Sequence, residues 1–228
     1  AMAQDERVQA KVVYFSRLHS LEEGVCLKDE AIVIRENGQE VKVIDLADLR
    51  LLGAHNVENY MAGMAVAYYM GIPLDDIVAT MKAFKGVAHR IEFVNEINGV
   101  AYYNDSKGTN PDAAIKGIQA MNRKTVLIGG GYDKGVPFDE WIQAFGDKVK
   151  KLVLLGQTAE MIADTAKKYG FTEVVFANDL KEAVDIASNV AEPGEAVLLS
   201  PACASWGMFD NYEQRGDMFK EFVNQLGA

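Results

Sequence analysis

From residue 100 onward, short runs of Val, Leu and Ile alternate with amphipathic stretches, and no other feature limits the possible folds as much. Strands are predicted at 100–103, 125–128, 151–155, 173–176 and 196–199, and helices at 113–121, 138–145, 158–169, 180–190 and 218–226. Apolar strands of this length separated by helices pair in parallel and are covered on both faces. The expected class is therefore α/β, with a mainly parallel, doubly wound sheet. In such sheets ligands sit beyond the carboxyl ends of the strands. Those ends carry residues 104–109, 129–134, 156–157 and 200–205.

The preceding part of the chain has a different period. Strands are predicted at 11–16 and 24–28, followed by a hairpin of 31–35 and 39–44 around Asn37-Gly38, all of it antiparallel. Residues 56–70 are small and apolar on nearly every side and end at Gly71, which reads as a buried helix with a glycine stop. A second helix begins at Pro73, carries Asp75 and Asp76 in its first turn and stops at Gly86. Another hairpin, 91–97 with 100–103 around Asn98-Gly99, leads into the alternating region. Nothing in residues 1–50 has catalytic character.

The chemistry-bearing stretch is Tyr102-Tyr103-Asn104-Asp105-Ser106-Lys107-Gly108-Thr109-Asn110-Pro111. It leaves a strand through a polar turn and enters a helix that Pro111 and Asp112 are suited to begin, so helix amides and side chains converge where an anion fits. Lys107 and Lys134 supply charge at the sheet mouth, and Thr109 and Ser205 supply hydroxyl donors. Read singly, the turn is equally a capped loop whose polar groups satisfy each other, and each lysine a solvated charge.

Several classes are excluded. Gly129-Gly130-Gly131-Tyr132-Asp133-Lys134-Gly135 follows a strand but has Lys134 where a dinucleotide fingerprint needs its last glycine. No phosphate-binding P-loop, nucleophile elbow or zinc spacing occurs, so no catalytic and no metal-ligating residue is assigned. Cys26 and Cys203 form no disulfide framework, which suits a reducing cytoplasm. A net charge of -10 argues against nucleic-acid or anionic-membrane partners. The first residues show no signal-peptide pattern, and the longest apolar run, 61–72, is too short to span a bilayer.

Five segments carry a family resemblance. They are residues 51–59 (Leu-Leu-Gly-Ala-His-Asn-Val-Glu-Asn), His89-Arg90-Ile91-Glu92, residues 104–110, the glycine-rich 129–135, and residues 199–206 together with Arg215-Gly216-Asp217-Met218-Phe219. In order and spacing over residues 51–228 they resemble the D-glutamate-adding enzymes of the Mur ligase family. The Asp105-Ser106-Lys107 turn combined with Ser200-Pro201-Ala202-Cys203 separates that branch from sister Mur ligases and from folylpolyglutamate synthases.

The resemblance implies an ATP-dependent ligase of peptidoglycan precursor synthesis. It phosphorylates the carboxylate of UDP-N-acetylmuramoyl-L-alanine, and the amine of D-glutamate attacks the acyl phosphate, with Mg2+ neutralising the transferred charge. Residues 1–88 are then the tail of a central ATPase domain and residues 89–228 a Rossmann-like C-terminal domain. The phosphate loop, the metal-binding acid and a modified lysine are expected upstream, the full enzyme is expected to be a monomer, and this chain alone is expected to be inactive.

By the same resemblance Asn56, Asn59, His89, Arg90 and Asp105 match nucleotide contacts: adenine for the asparagines, phosphate for Arg90 and ribose for Asp105. Lys107, Thr109, Lys134, Ser205 and Tyr212 match positions that hold the D-glutamate carboxylates, while Trp206 is expected to pack against the wall and Cys203 to be buried and inert. Three residues depart from the family pattern. Gly108 replaces alanine, which would loosen the turn; Gly207 replaces an aspartate that could cap the next helix; Tyr212 replaces phenylalanine. The rival readings are a sister Mur or folylpolyglutamate-type ligase and, for the isolated chain, a non-catalytic binding module.

Overall fold

The computed structural model describes residues 9–227. The chain divides into two compact units, one up to Lys85 and one from Gly86 onward.

In the first unit a four-stranded sheet runs in the order β1 (Phe15–Ser16), β2 (Gly24–Lys28), β3 (Ala31–Glu36) and β4 (Gln39–Asp45). The β3–β4 turn places Asn37 and Gly38 at φ 53° and 74°, the left-handed pair that a tight hairpin requires. The expectation of a wholly antiparallel sheet is corrected at β1. Only two residues of 11–16 pair, and they pair in parallel with β2. Two helices follow, α1 (Ala54–Tyr69) and α2 (Leu74–Ala83). Their Met61, Met64, Ile77 and Met81 close over Val25, Ile32 and Ile34 to form this unit's core.

The second unit opens with an antiparallel hairpin, β5 (Glu92–Ile97) and β6 (Val100–Asn104). The chain then alternates through α3 (Pro111–Ala120), β7 (Thr125–Gly129), α4 (Asp139–Gln143), β8 (Val149–Leu154), α5 (Ala159–Lys168), β9 (Val174–Phe176), α6 (Leu180–Val190), β10 (Ala196–Leu199) and α7 (Tyr212–Gln225). The six strands are ordered β5-β6-β10-β7-β8-β9, and every pair except β5·β6 is parallel. The expected mainly parallel α/β sheet is thus what forms.

Strand periodicity explains why both faces are covered. Val100, Tyr102, Val126, Ile128, Val153, Val197 and Leu199 point to one face and pack with Leu180, Val184, Phe219 and Val223 of α6 and α7. The intervening Leu127, Leu152, Leu154 and Leu198 are equally buried on the other face, where α3, α4 and α5 pack in succession. Successive side chains on these central strands therefore never meet solvent, which is why they read as continuous apolar runs.

Of the boundaries that moved from expectation, two have a clear local cause. α7 begins at Tyr212 and not at Met218, because Asn211 caps it: its side-chain oxygen accepts the Gln214 amide at 2.7 Å. Residues 212–217 carry polar groups and a glycine, so apolar spacing hid this first turn-and-a-half. The same cap makes a carboxylate at position 207 unnecessary for starting the helix. At the other end of the unit, Ile91 falls outside β5 because its φ is +47°, which no strand accommodates.

Candidate functional site

Insertion of β10 between β6 and β7 creates the mouth. Asn104, Leu199 and Ile128 lie in register, so their strands end at one level. β6 feeds α3 on one face while its neighbour β10 feeds α7 on the other, and such a switch leaves a crevice between the diverging loops. The loops after β6, β7 and β10 are stitched together by backbone bonds. Gly130 N donates to Pro201 O at 2.9 Å and Tyr132 N to Ala204 O at 2.9 Å. Gly131 permits that approach, since a Cβ there would collide with the Ala204 carbonyl.

Four of the five residues predicted to hold an amino acid make contact in two pairs. Lys107 Nζ donates to the Tyr212 hydroxyl at 2.7 Å and lies 4.4 Å from that ring's centroid. Lys134 Nζ donates to the Thr109 carbonyl at 2.6 Å. Ser205, on the β10 loop beside Ala204, is buried, and its hydroxyl makes no hydrogen bond among the described residues. Among the described residues neither ammonium is within ion-pair distance of a carboxylate; both rest on neutral oxygens. Glu213 is coupled to this pair: its carboxyl is held below the usual range first by the Tyr212 hydroxyl and also by Lys107 and His89.

The residues predicted to meet nucleotide are dispersed differently. Asn56 turns its Nδ2 back onto Leu52 O at 2.8 Å and accepts from Asn59 at 3.3 Å, both at the start of α1 in the first unit. His89 is buried at φ +65°, with Nδ1 3.0 Å from Asn104 Nδ2, while its amide donates to Glu92. Arg90 is exposed and its guanidinium makes no hydrogen bond among the described residues. It is the one member of the predicted nucleotide set within the second unit that presents an unengaged charge outward.

Asp105 points inward. It is 6% exposed, its Oδ2 accepts from Ser200 Oγ at 2.7 Å, and its Oδ1 accepts from the strained Ile91 amide at 3.3 Å. Burial pushes this carboxyl up to about 7, against the opposing pull of Ser200, the Ile91 amide, Arg90 and Arg215. Both oxygens are thus engaged within the protein in this structure. At Gly108 a Cβ would sit 2.7 Å from Asp105 Oδ2 and 3.0 Å from Ser200 Oγ. The glycine lets that carboxyl–hydroxyl pair close over the backbone.

Two further expectations can be placed. Cys203 is buried, its thiol is pushed above the usual range by burial, and its Sγ lies 3.3 Å from Thr158 Oγ1. Trp206 rests on the β7 loop. It is 57% exposed and meets the Tyr132 ring edge-on at 5.5 Å between centroids.

Sequence reading assigned no role to Asn104, Ser106, Ser200 or Arg215, all of them buried. Asn104 alone bonds His89, Glu92, the Gly216 carbonyl and the Ser106 amide. A signal for Arg215 did exist. It stands four residues before Phe219 and eight before Val223, on the stripe that α7 buries, where a charge needs internal partners.

Comparison with known proteins now bears on these loops. Residues 89–203 match the model of the Mur ligase, glutamate ligase domain, which covers half of the chain and three of the mouth loops. The chain belongs to the Mur ligase family. A curated relative, the UDP-N-acetylmuramoylalanine–D-glutamate ligase of Thermoanaerobacter sp. (strain X514), is 55% identical over 222 residues, 96% of this chain and 49% of that protein. The chain therefore spans about half the length of the curated relatives it matches. Among solved structures, UDP-N-acetylmuramate-alanine ligase MurC from Thermotoga maritima superposes with a TM-score of 0.62 at 20% identity, covering 86% of this chain and 44% of the other. Mycobacterium tuberculosis folylpolyglutamate synthase complexed with ADP superposes at 0.59 with 18% identity, covering 84% and 44%. At those identities the superpositions establish the shared Mur ligase fold. Among the described residues no helix is long and apolar enough to cross a membrane.

Proposed function

We propose that this chain is the amino-acid-holding part of an ATP-dependent ligase that joins D-glutamate to UDP-N-acetylmuramoyl-L-alanine in peptidoglycan precursor synthesis. The observation that carries the reading is the mouth itself. Two ammonium groups, Lys107 and Lys134, rest there on neutral oxygens, and the buried Ser205 on the β10 loop has a hydroxyl with no hydrogen bond among the described residues, in a chain whose net charge is -10. A dicarboxylate amino acid satisfies such a set. Each carboxylate exchanges a weak neutral partner of one lysine for a charge-assisted bond, and Thr109, Ser205 and Tyr212 add hydroxyls.

The name of the D-glutamate ligase relative, at 55% identity, supports the choice of amino acid, and the ADP complex of a fold neighbour supports use of ATP. In this reading the acceptor carboxylate is activated as an acyl phosphate and the D-glutamate amine displaces phosphate from it. The chain's part is to hold the amine-bearing substrate, which converts a bimolecular attack into a positioned one. Arg90, exposed beside the mouth, is the group here that would meet a phosphate, and its fork suits that task. Among the described residues no three His, Cys, Asp or Glu side chains converge to hold a metal, so no step is assigned to magnesium within this chain. We further assign residues 1–88 to the tail of the nucleotide-handling domain and 89–228 to the C-terminal domain.

In the full-length ligase, Lys134→Ala and Ser205→Ala are each expected to raise the KM for D-glutamate about tenfold, with KM for ATP changed less than about twofold, since each removes one polar contact to the amino acid. Steady-state kinetics with both substrates varied is the check. An unchanged KM for D-glutamate removes that residue from the site.

A further inference from the structure

We infer that Arg215, through its guanidinium fork, is the positioning residue that locks the β6 loop, the β10 loop and the first turns of α7 into the arrangement that presents Lys107, Tyr212 and Ser205 together. This rests on the amino-acid-holding role proposed above and goes beyond it by naming what assembles the site.

The side chain is 2% exposed and each of its three nitrogens donates a hydrogen bond. Nε donates to Ser106 Oγ at 2.9 Å, Nη2 to Ser106 O at 2.7 Å and Nη1 to Cys203 O at 3.2 Å. Ser106 Oγ in turn donates to the Tyr212 carbonyl at 2.8 Å, tying the start of α7 to the same hub. The β7 loop passes over it too, since a Cβ on Gly131 would lie 3.5 Å from Nη1. Lys107 follows Ser106 in the chain, and Ser205 is two residues after Cys203. Holding those two neighbours thus fixes both site residues.

Chemistry explains why arginine stands here. The planar fork reaches a hydroxyl and two carbonyls on separate loops at once, which a lysine ammonium on a single stem cannot do. All of its hydrogen-bond partners are neutral, so its charge is not cancelled at contact distance, and Asp105 acts on it only through space. Although burial lowers the guanidinium pKa to about 10, the group stays charged at neutral pH. A buried structural arginine would usually be paired with a carboxylate and tied to core elements. This one is tied only to groups at the mouth.

The test uses the full-length enzyme with Arg215→Met, which keeps bulk and loses charge and donors, and Arg215→Lys, which keeps charge and loses the fork. Amide hydrogen exchange is read alongside KM and kcat. In Arg215→Met, exchange at 105–109 and 200–206 should rise about tenfold or more while β8 and α6 stay at wild-type rates. KM for D-glutamate should rise at least about tenfold, with KM for ATP within about twofold. Arg215→Lys should give little recovery of either. Unchanged exchange in both loops overturns the inference, as does a uniform rise across the whole unit, or a lysine variant that restores wild-type KM. Should the wild-type enzyme show no dependence on D-glutamate, the amino-acid assignment fails, and the exchange pattern alone decides the role of Arg215.

Discussion

Asp105→Asn should flatten the decline of stability with rising pH. The folded-state pKa of Asp105, about 7, stands above its ordinary value of 3.8, so between those values the native protein holds a proton that the unfolded chain releases. Stability from this group is complete below pH 3.8 and is lost as pH rises to about 7, the reverse of the usual salt-bridged aspartate. The full loss amounts to about 4 kcal/mol, of which roughly 2.5 kcal/mol falls between pH 5 and pH 8. Asparagine keeps the shape and can donate to Ser200 Oγ while carrying no charge. Urea unfolding of both proteins at the two pH values measures the difference directly, and carboxylates elsewhere cancel because both proteins share them. Parallel stability profiles would show that this carboxyl titrates at its ordinary value despite its burial.

Gly216→Ala should destabilise the protein by about 2 kcal/mol or more, although the residue lies inside a helix where alanine is ordinarily favoured by about 1 kcal/mol. Its Cβ would drive into His89 Nδ1 and sit 3.0 Å from Asn104 Nδ2. His89 has little freedom to retreat. Its backbone is already left-handed, its amide is held by Glu92 and its carbonyl by the Lys107 amide. The control is Gly63→Ala in α1, where a Cβ meets nothing within 4 Å. That change should stabilise by about 0.5 to 1 kcal/mol. Thermal unfolding of the two variants should move in opposite directions. A shift of the same sign in both would mean that helix propensity, and not the His89 contact, governs position 216.

These effects come from a part of the molecule that was only half legible in the chain. Lys107, Thr109, Lys134 and Ser205 could be placed at the mouth because the strand ends that carry them are marked by apolar runs followed by polar turns. The Lys134–Thr109 contact joins two of these strand-end loops. The inward turn of Asp105 and the burial of His89 were not readable, since each depends on a partner distant in sequence. Ser200 lies 95 residues from Asp105, and Ser106 lies 109 from Arg215. Tyr212 was placed correctly in the chain but outside any helix, because its helix starts with a cap and a polar turn and only later shows its apolar stripe.

By itself, then, the sequence determined the layers. Period-two burial and helical periodicity are local properties, and a strand that must be apolar on both faces has no stable place except between two sheets of helices. It also determined which loops lie at the carboxyl ends. Only the tertiary structure decided that β10 enters between β6 and β7, and therefore that Ser200 and Cys203 close on Asp105, Ser106 and Arg215. The physical reason is that a buried polar group must find a partner wherever the strand order brings one, and strand order is set by packing across the whole sheet, not by the residues on either side of that group.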